Sequence, residues 1–528
     1  MAQRTEVVIV GGGHNALVAA CLLARAGRDV CVLEARSTVG GAAVSERLFP
    51  GVDARLSKYS YLVSLFPEFL ADELRLDIPL VTRRISSYTP DPRDPTRGIV
   101  IPGDAAADLE YRLAAFTGSE DDARGWRSFY GHIAEFAPAV FASLTEPLPS
   151  SQAMRAMVGE DAWTDFFVNP LGKVLGRTFS DDVVRGIVQT DALIGTFSYG
   201  ADPSLRQNAC FLYHVIGNGT GAWNLPLGGM GAVTSALAQR ARDLGARIET
   251  DRTVRRIASD GSSATVELTD PSGARSQIHA SMVLAGCAPR ELDRLMARPV
   301  LPTPEWAEGA QVKVNMVLSR LPRLRDPDVD PHDAFAGTLH VNESAQQLDA
   351  AYATAARGHL PEFLPCEAYC HSLGDRSILG PELADSDVQT LTVFALQTPH
   401  LLFRGSVPVV SREQAQQAVL ASLSSVLAEP IEDCLMLDRD GRPCIQVSTT
   451  ADLEVEVGLP AGNIFHTPLD LPYAWRAEDT GTWGVETDIP NIALCGSGAR
   501  RGGGVSGIPG HNAARYAIEF LARKSSTR

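Results

Sequence analysis

Little in this 528-residue chain speaks for disulfides, a membrane span or a nucleic-acid partner. Its nine cysteines are scattered, the closest pair is Cys366 and Cys370, and no Cys-x-x-Cys occurs. That pattern argues against a vicinal redox dithiol and for a reducing cytoplasm, and no His/Cys spacing suits zinc, so no metal is expected. No stretch approaches the roughly 18 uninterrupted apolar residues of a membrane span, although contact with a membrane face is a separate question. Basic residues are the minority, 47 Lys+Arg against 63 Asp+Glu for a net charge of −16. A chain of that sign has no general attraction for nucleic acid or anionic lipid. Only residues 1–5 precede the first apolar run, so the expectation is a mature protein that starts at Met1 without a signal or transit peptide. The length favours two domains over a single core.

What is present begins at residues 6–34, EVVIVGGGHNALVAACLLARAGRDVCVLE. Residues 7–10 form the short apolar run of a buried parallel strand. Gly11-x-Gly13-x-x-Ala16 then lets the backbone turn tightly and approach a pyrophosphate at a helix N-terminus. The helix turns Leu17, Cys21 and Ala24 inward and ends at Gly27. A second strand, residues 30–33, delivers Glu34, whose carboxylate can accept both hydroxyls of an adenosine ribose and repels a 2′-phosphate. FAD or NAD is favoured over NADP. The continuation Ala35-Arg36-Ser37-Thr38-Val39-Gly40-Gly41 resembles that of FAD proteins of the glutathione-reductase-like superfamily, where a second glycine pair lines the pyrophosphate, and this turns the choice to FAD.

Two further segments agree. Residues 490–496 read as a buried strand stopping at Gly496, followed by the glycine-dense residues 497–507 and a helix carrying Ala513, Ala514, Ala517 and Leu521. Such glycine density costs chain entropy unless backbone must come close to something. Leu227-Gly228-Gly229-Met230-Gly231 opens a helix with Val233, Leu237 and Ala241. Strands follow at residues 247–249 and 254–257, a hairpin at residues 270–273, and a returning strand at residues 281–288. The cluster Gly217-Asn218-Gly219-Thr220-Gly221 is not a second dinucleotide site, because Trp223-Asn224-Leu225-Pro226 stands where a helix would have to begin.

Together these motifs resemble the phytoene desaturase-like flavoproteins, and within them the pyridine nucleotide-disulfide oxidoreductase domain-containing protein 2 group. The resemblance spans almost the whole chain and rests on residues 11–20, Gly40-Gly41-Ala42-Ala43-Val44, Ser60-Tyr61-Leu62, Gly462-Asn463-Ile464-Phe465-His466 and Leu494-Cys495-Gly496-Ser497-Gly498-Ala499. It implies cofactor contacts at Gly11, Gly12, Gly13, His14, Asn15, Ala16, Glu34, Ala35, Arg36, Gly40, Gly41 and Ala42. It also implies Lys58 and Tyr59 near the isoalloxazine, backbone at Val254 meeting the adenine, and Gly496, Val505, Ser506 and Ile508 along the ribityl chain and the flavin N1/O2 edge. Relatives usually carry His-Pro before the triple glycine; here Arg500-Arg501 stand there, which puts any His-dependent step near the flavin in doubt.

The expected fold is α/β: a discontinuous glutathione-reductase-like Rossmann FAD domain (residues 1–55, 222–300 and 455–528) with an α+β substrate domain of mixed sheet plus helices (56–221 and 301–454). In the substrate part, Ser119-x-x-Asp122 is expected to cap a helix whose Trp126, Phe129, Tyr130, Ile133, Phe136, Ala137, Val140, Phe141 and Leu144 share an apolar face, with a kink at Pro138. Val312, Val314, Met316 and Leu318 alternate with Lys313, Asn315 and Val317 as a half-buried strand, and residues 391–396 form another; together they suggest a sheet forming the floor of a substrate cavity, while residues 90–102 read as a surface loop.

Catalytic residues are weakly signalled. His14 is either structural or in contact with FAD; His466 either faces the flavin or is a satisfied buried histidine. Arg500 and Arg501 either meet solvent and acids such as Glu486 or Asp488, or receive an anionic group. The expected function is an FAD-dependent oxidoreductase of dehydrogenase or desaturase type, exchanging hydride between flavin N5 and a hydrophobic small molecule, with an anionic end if Arg500 binds it. Amine oxidation, redox-neutral isomerisation and a non-catalytic flavin-binding role stand as alternatives.

Overall fold

The computed structural model describes residues 3–61, 63–103 and 108–526; Leu62 lies outside them. The strand Gln3–Val10 is flanked in parallel by Val30–Leu33 and by Arg275–Ala285, and the sheet extends in parallel to Arg247–Glu249 on one side and to Ile492–Leu494 on the other. Thr253–Ser259 and Ala264–Thr269 join Arg275–Ala285 as an antiparallel meander. Both faces of this sheet are covered, which is why its first strand reads as an unbroken apolar run. Val7 and Ile9 pack with the helices His14–Arg25, Met230–Asp243 and Ile508–Ser526. Val8 and Val10 pack with Val254, Ile257 and Val266 of the meander and with Leu292 and Leu295.

A second, mixed sheet runs in the order Ile445–Ser448, Val312–Leu318, Gln389–Ala395, Cys366–Tyr369, Thr338–Val341, Ile85–Asp91, Asp94–Pro102. All its pairings are antiparallel except that of Thr338–Val341 with Ile85–Asp91. Two expectations fail here. Residues 90–102 are not a surface loop: they hold the edge strand Asp94–Pro102, where proline is tolerated because one side has no partner to satisfy. Val312–Leu318 is buried along its whole length, polar positions included, because it is central in the sheet and residues 57–60 cross one of its faces.

The helix Glu120–Ser143 forms as expected and runs without interruption through Pro138. Ser119 Oγ caps it by accepting from Asp121 N at 3.1 Å, but Asp122 does not return to the cap. Asp122 is fully buried and accepts from Ser180 N and Oγ at 2.6 and 2.8 Å, tying the helix to the next segment of the helical block. Phe129, Phe136, Phe166 and Phe211 interlock beneath it with ring centroids 5.5–6.1 Å apart. Among the described residues no helix is long and apolar enough to cross a membrane, and all nine cysteines are free.

Arg501 supplies the main link between this helical block and the C-terminal segment. Its guanidinium is 2% exposed and donates to Ser143 O at 2.9 Å, to Glu146 O at 2.5 Å and to Trp483 O at 2.8 Å. Two of those carbonyls lie at the helix C-terminus, where a cation is favoured. Burial still pulls the guanidinium down to about 10. Arg500 takes another direction, donating to Tyr473 O at 3.0 Å and standing 3.9 and 3.8 Å from Asp470 and Asp479. Neither arginine pairs with Asp488, and neither enters the main cavity. Arg501→Met is expected to cost about 2–4 kcal/mol, since three buried carbonyls lose a charged donor. Arg500→Ala, partly exposed and loosely paired, is expected to cost under about 1 kcal/mol. Chemical denaturation of the two variants checks the ranking; equal losses would contradict the clamp.

Candidate functional site

The strand Gln3–Val10 stops at Gly11, whose φ of +93° suits glycine alone, and Gly11 N donates to Leu33 O at 2.8 Å. At Gly12 the constraint is space: a Cβ would lie 2.8 Å from Val39 Cγ1 and 3.2 Å from Glu34 Oε2. Gly12 N donates to Glu34 Oε2 at 2.7 Å, and Arg36 N donates to Glu34 Oε1 at 2.9 Å, so Glu34 braces the turn from below. Gly40 N reaches Gly12 O at 2.8 Å, and Arg36 Nη2 reaches Gly41 O at 2.7 Å, which fastens the second glycine pair to the first. The helix His14–Arg25 starts at Gly13 with no side-chain cap. Its first-turn N–H groups are therefore left for an anion.

This turn forms one end of a cavity of about 560 Å³. Of the residues expected at the cofactor, Gly11, Gly12, Gly13, His14, Asn15, Ala16, Glu34, Ala35, Arg36, Gly41, Ala42, Tyr59, Val254, Gly496 and Val505 line it, and so does His466. Gly40, Lys58, Ser506 and Ile508 stand behind the wall. Gly40 bridges to Gly13. Lys58 is drawn away by Glu456 and Glu46 at 3.2 and 3.4 Å. Ile508 N is engaged by Ser506 Oγ at 3.3 Å, so the N–H groups expected at a flavin edge are free only nearer Val505. Arg500 is absent from the lining.

The other end of the cavity holds Lys313 and Phe394, on the two strands expected at a substrate-cavity floor, together with Tyr61 and with residues given no site role in the sequence reading: Leu65, Ile194, Tyr213, His214, Trp223 and Gln311. Lys313 is the most informative. Its ammonium stem is buried, with Nζ donating to Ser57 O at 2.7 Å and Tyr59 O at 2.9 Å and a longer contact of 3.5 Å to Ser60 O. Three carbonyl oxygens surround Nζ, matching the three N–H donors of an ammonium, while burial pulls its pKa well down. The rings of Phe394 and Tyr61 lie 5.0 and 5.9 Å from Nζ. One signal was available: a lysine inside an apolar strand whose neighbours are all β-branched or large.

The histidines at the site are also uncharged. Burial lowers His14, His214 and His466 to about 4 each, His14 being held down further by His466 and raised slightly by a bond to Gly504 backbone. His14 Nε2, Asn15 Oδ1 and His466 Nδ1 are buried with no hydrogen-bond partner in the protein. Partnerless polar atoms beside an uncapped helix N-terminus and a turn too tight for a Cβ fit a phosphate-bearing dinucleotide.

The chain matches the flavin-containing amine oxidoreductase family over residues 17–434. It is 48% identical to an uncharacterized protein of Mycobacterium tuberculosis over 98% of each chain. It is 29% identical to the pyridine nucleotide-disulfide oxidoreductase domain-containing protein 2 of Mus musculus, over 98% of this chain and 94% of that one. Among solved structures, putrescine oxidase bound to putrescine superposes with a TM-score of 0.61 at 18% identity, covering 99% of this chain and 100% of the other. The fold and the site thus define an FAD-dependent oxidoreductase. The chain belongs to the flavin-containing amine oxidoreductase family, and FAD is its cofactor.

Glu34→Ala is expected to weaken FAD binding by about 1–3 kcal/mol, since it removes a charged acceptor from both the turn and the ribose position. Fluorescence titration of apoprotein with FAD checks this; unchanged affinity would rule out the ribose assignment. A second expectation follows from the histidines. Their folded values near 4 lie below the unfolded value of about 6.5, so on acidification the unfolded chain takes protons first. Stability is then lost as pH falls from about 6.5 toward 4, by up to about 2 kcal/mol per histidine at pH 5. Denaturation midpoints at pH 7 and pH 5 for wild type and a His14→Asn/His466→Asn variant measure it, the variant showing the smaller loss.

Proposed function

We propose that this flavoenzyme dehydrogenates a neutral, hydrophobic small molecule at a C–C or C–O bond. The observation that carries this is the chemistry of the inner cavity end, where aromatic and aliphatic walls surround a buried lysine whose pKa burial pulls down and an imidazole lowered to about 4. FAD supplies a two-electron acceptor. The chain's own residues do the rest: Tyr61, Phe394 and Trp223 present apolar walls that exclude water. Lys313 Nζ, fixed by the Ser57 and Tyr59 carbonyls, is a polar group that can orient an ordered water or a polar atom of the substrate. Arg500 does not reach this space, which removes the support for an anionic substrate end.

In this reading residues 1–55, 222–300 and 455–528 make up a glutathione-reductase-like FAD domain and residues 56–221 and 301–454 the substrate domain. Support comes from the strands: those of the parallel sheet and its meander come from the first set, those of the mixed sheet from the second.

Family membership favours amine oxidation as the second reading, since an uncharged amine fits an uncharged aromatic pocket. Anaerobic mixing with putrescine, cyclohexylamine and neutral hydrophobic alkenes, alcohols and ketones separates the two by which class bleaches the flavin. Bleaching by neutral compounds supports the proposal; reduction by amines alone overturns it. Lys313→Met is expected to slow reduction by the productive class at least tenfold with FAD content unchanged.

A further inference from the structure

We propose that His340, Glu343 and Glu367 form a buried binding site for one divalent first-row metal ion, zinc(II) foremost, between the mixed sheet and the helix above it. His340 and Glu367 are direct cross-strand partners on Thr338–Val341 and Cys366–Tyr369, so their side chains share a face. Asn342, at φ +57°, turns the chain and brings Glu343 back toward the same place. The ligating atoms of the three lie within 4.8 Å of one another. Three such points sit within about 2.8 Å of a common centre, so side-chain shifts of roughly 0.7 Å bring them to the 2.0–2.2 Å of zinc–nitrogen and zinc–oxygen bonds.

All three residues are buried, at 5%, 1% and 1% exposure. Glu343 is the decisive one, because both its carboxylate oxygens are buried without any hydrogen-bond partner. The nearest hydroxyl proton is spent: Thr190 Oγ1 donates to Glu367 Oε1 at 3.0 Å. Asp191 also lies close to both glutamates, and Arg83 faces Asp191 and Glu367. The His340 ring is oriented by an outer contact: its Nδ1 meets Thr89 Oγ1 at 2.9 Å, and in the tautomer that donates from Nδ1 to that hydroxyl, Nε2 keeps a lone pair for a metal. Helix Asp182–Thr190 covers the site at Gly186, where a Cβ would stand 1.9 Å from Glu343 O.

Sequence reading expected no metal because it sought His/Cys clusters, whereas these ligands are two carboxylates and one imidazole brought together by a strand pairing. The site also touches the cavity: Tyr369 OH donates to Glu367 Oε2 and Tyr61 OH donates to Tyr369 OH at 2.9 Å. Metal at Glu367 would fix the orientation of the Tyr61 phenol on the cavity wall.

The test is elemental analysis of tag-free, FAD-loaded protein purified without chelator, followed by EDTA dialysis and titration with Zn²⁺ and Mn²⁺. One equivalent per chain is expected, bound at least tenfold more weakly by Glu343→Gln and by His340→Gln with FAD absorbance unchanged. Either variant suffices if the other fails to fold. Metal-free protein with no saturable one-equivalent binding, or equal binding by wild type and a folded variant, overturns the proposal and leaves the FAD assignment untouched.

Discussion

The site depends on three pieces of backbone meeting without side chains between them. Gly11 ends the first strand, Gly286 the strand beside it, and Gly496 the strand beyond, and the gaps are those of bare main chain. A Cβ on Gly286 would lie 3.0 Å from Val10 O, and one on Gly496 would lie 2.4 Å from Gly286 O. These residues stand hundreds of positions apart in the chain. Only the parallel pairing of Gln3–Val10 with Arg275–Ala285, and of the latter with Ile492–Leu494, delivers all three strand ends to one edge. At that edge the C-terminal ends of the strands open into the cavity, the usual place for a ligand in an open parallel sheet.

Given that cradle, the remaining problem is how to satisfy the basic side chains buried near it. The chain solves it twice with carbonyl oxygens. Arg501 is held by the carbonyls of Ser143, Glu146 and Trp483, and Lys313 by those of Ser57 and Tyr59. Backbone carbonyls satisfy donors without adding a formal charge, so Arg501 can remain an ion at a helix end, while at Lys313 burial pulls the pKa down with no carboxylate bonded to it. Carboxylates at either place would have produced a buried ion pair and a polar cavity wall. Removing one partner of such a pair costs more than the pair itself gains.

The dinucleotide half of the molecule was legible because its chemistry is local. The strand, glycine turn, helix and Glu34 all fall within 29 consecutive residues, and each is bounded by a residue with its own physical reason to be there. The inner cavity was not legible, because its residues come from strands and helices that meet only through tertiary packing. Lys313 was read as the polar face of a half-buried strand, a sound inference for an edge or one-sided sheet. It fails when both neighbours and a crossing segment bury that face as well. Asp94–Pro102 failed for the converse reason: prolines mark a loop in isolation, but an edge strand has one side with no ladder bonds to lose. Arg500 and Arg501 were correctly singled out as costly to bury. Their partners, a helix C-terminus and the acids Asp470 and Asp479, could not be read from adjacency.

The two halves are coupled through the residues near position 60. Tyr59 reaches down to Glu456, Tyr61 packs against Phe394 with ring centroids 4.6 Å apart, and the carbonyls of Ser57 and Tyr59 hold Lys313. One short segment therefore contributes a wall to the cofactor cavity, the acceptors that set the state of the buried amine, and the first phenol of a hydrogen-bonded chain into the mixed sheet. Because Tyr61 donates to Tyr369 and Tyr369 to Glu367, the phenol nearest the cavity is held by a donor direction that ends on a buried carboxylate. Reversing that direction would leave Glu367 Oε2 without its donor, at a burial where an unpaired carboxylate oxygen is expensive. The orientation of the cavity wall is thus set from within the mixed sheet, and the shape of the cavity follows from packing as well as from the residues that line it.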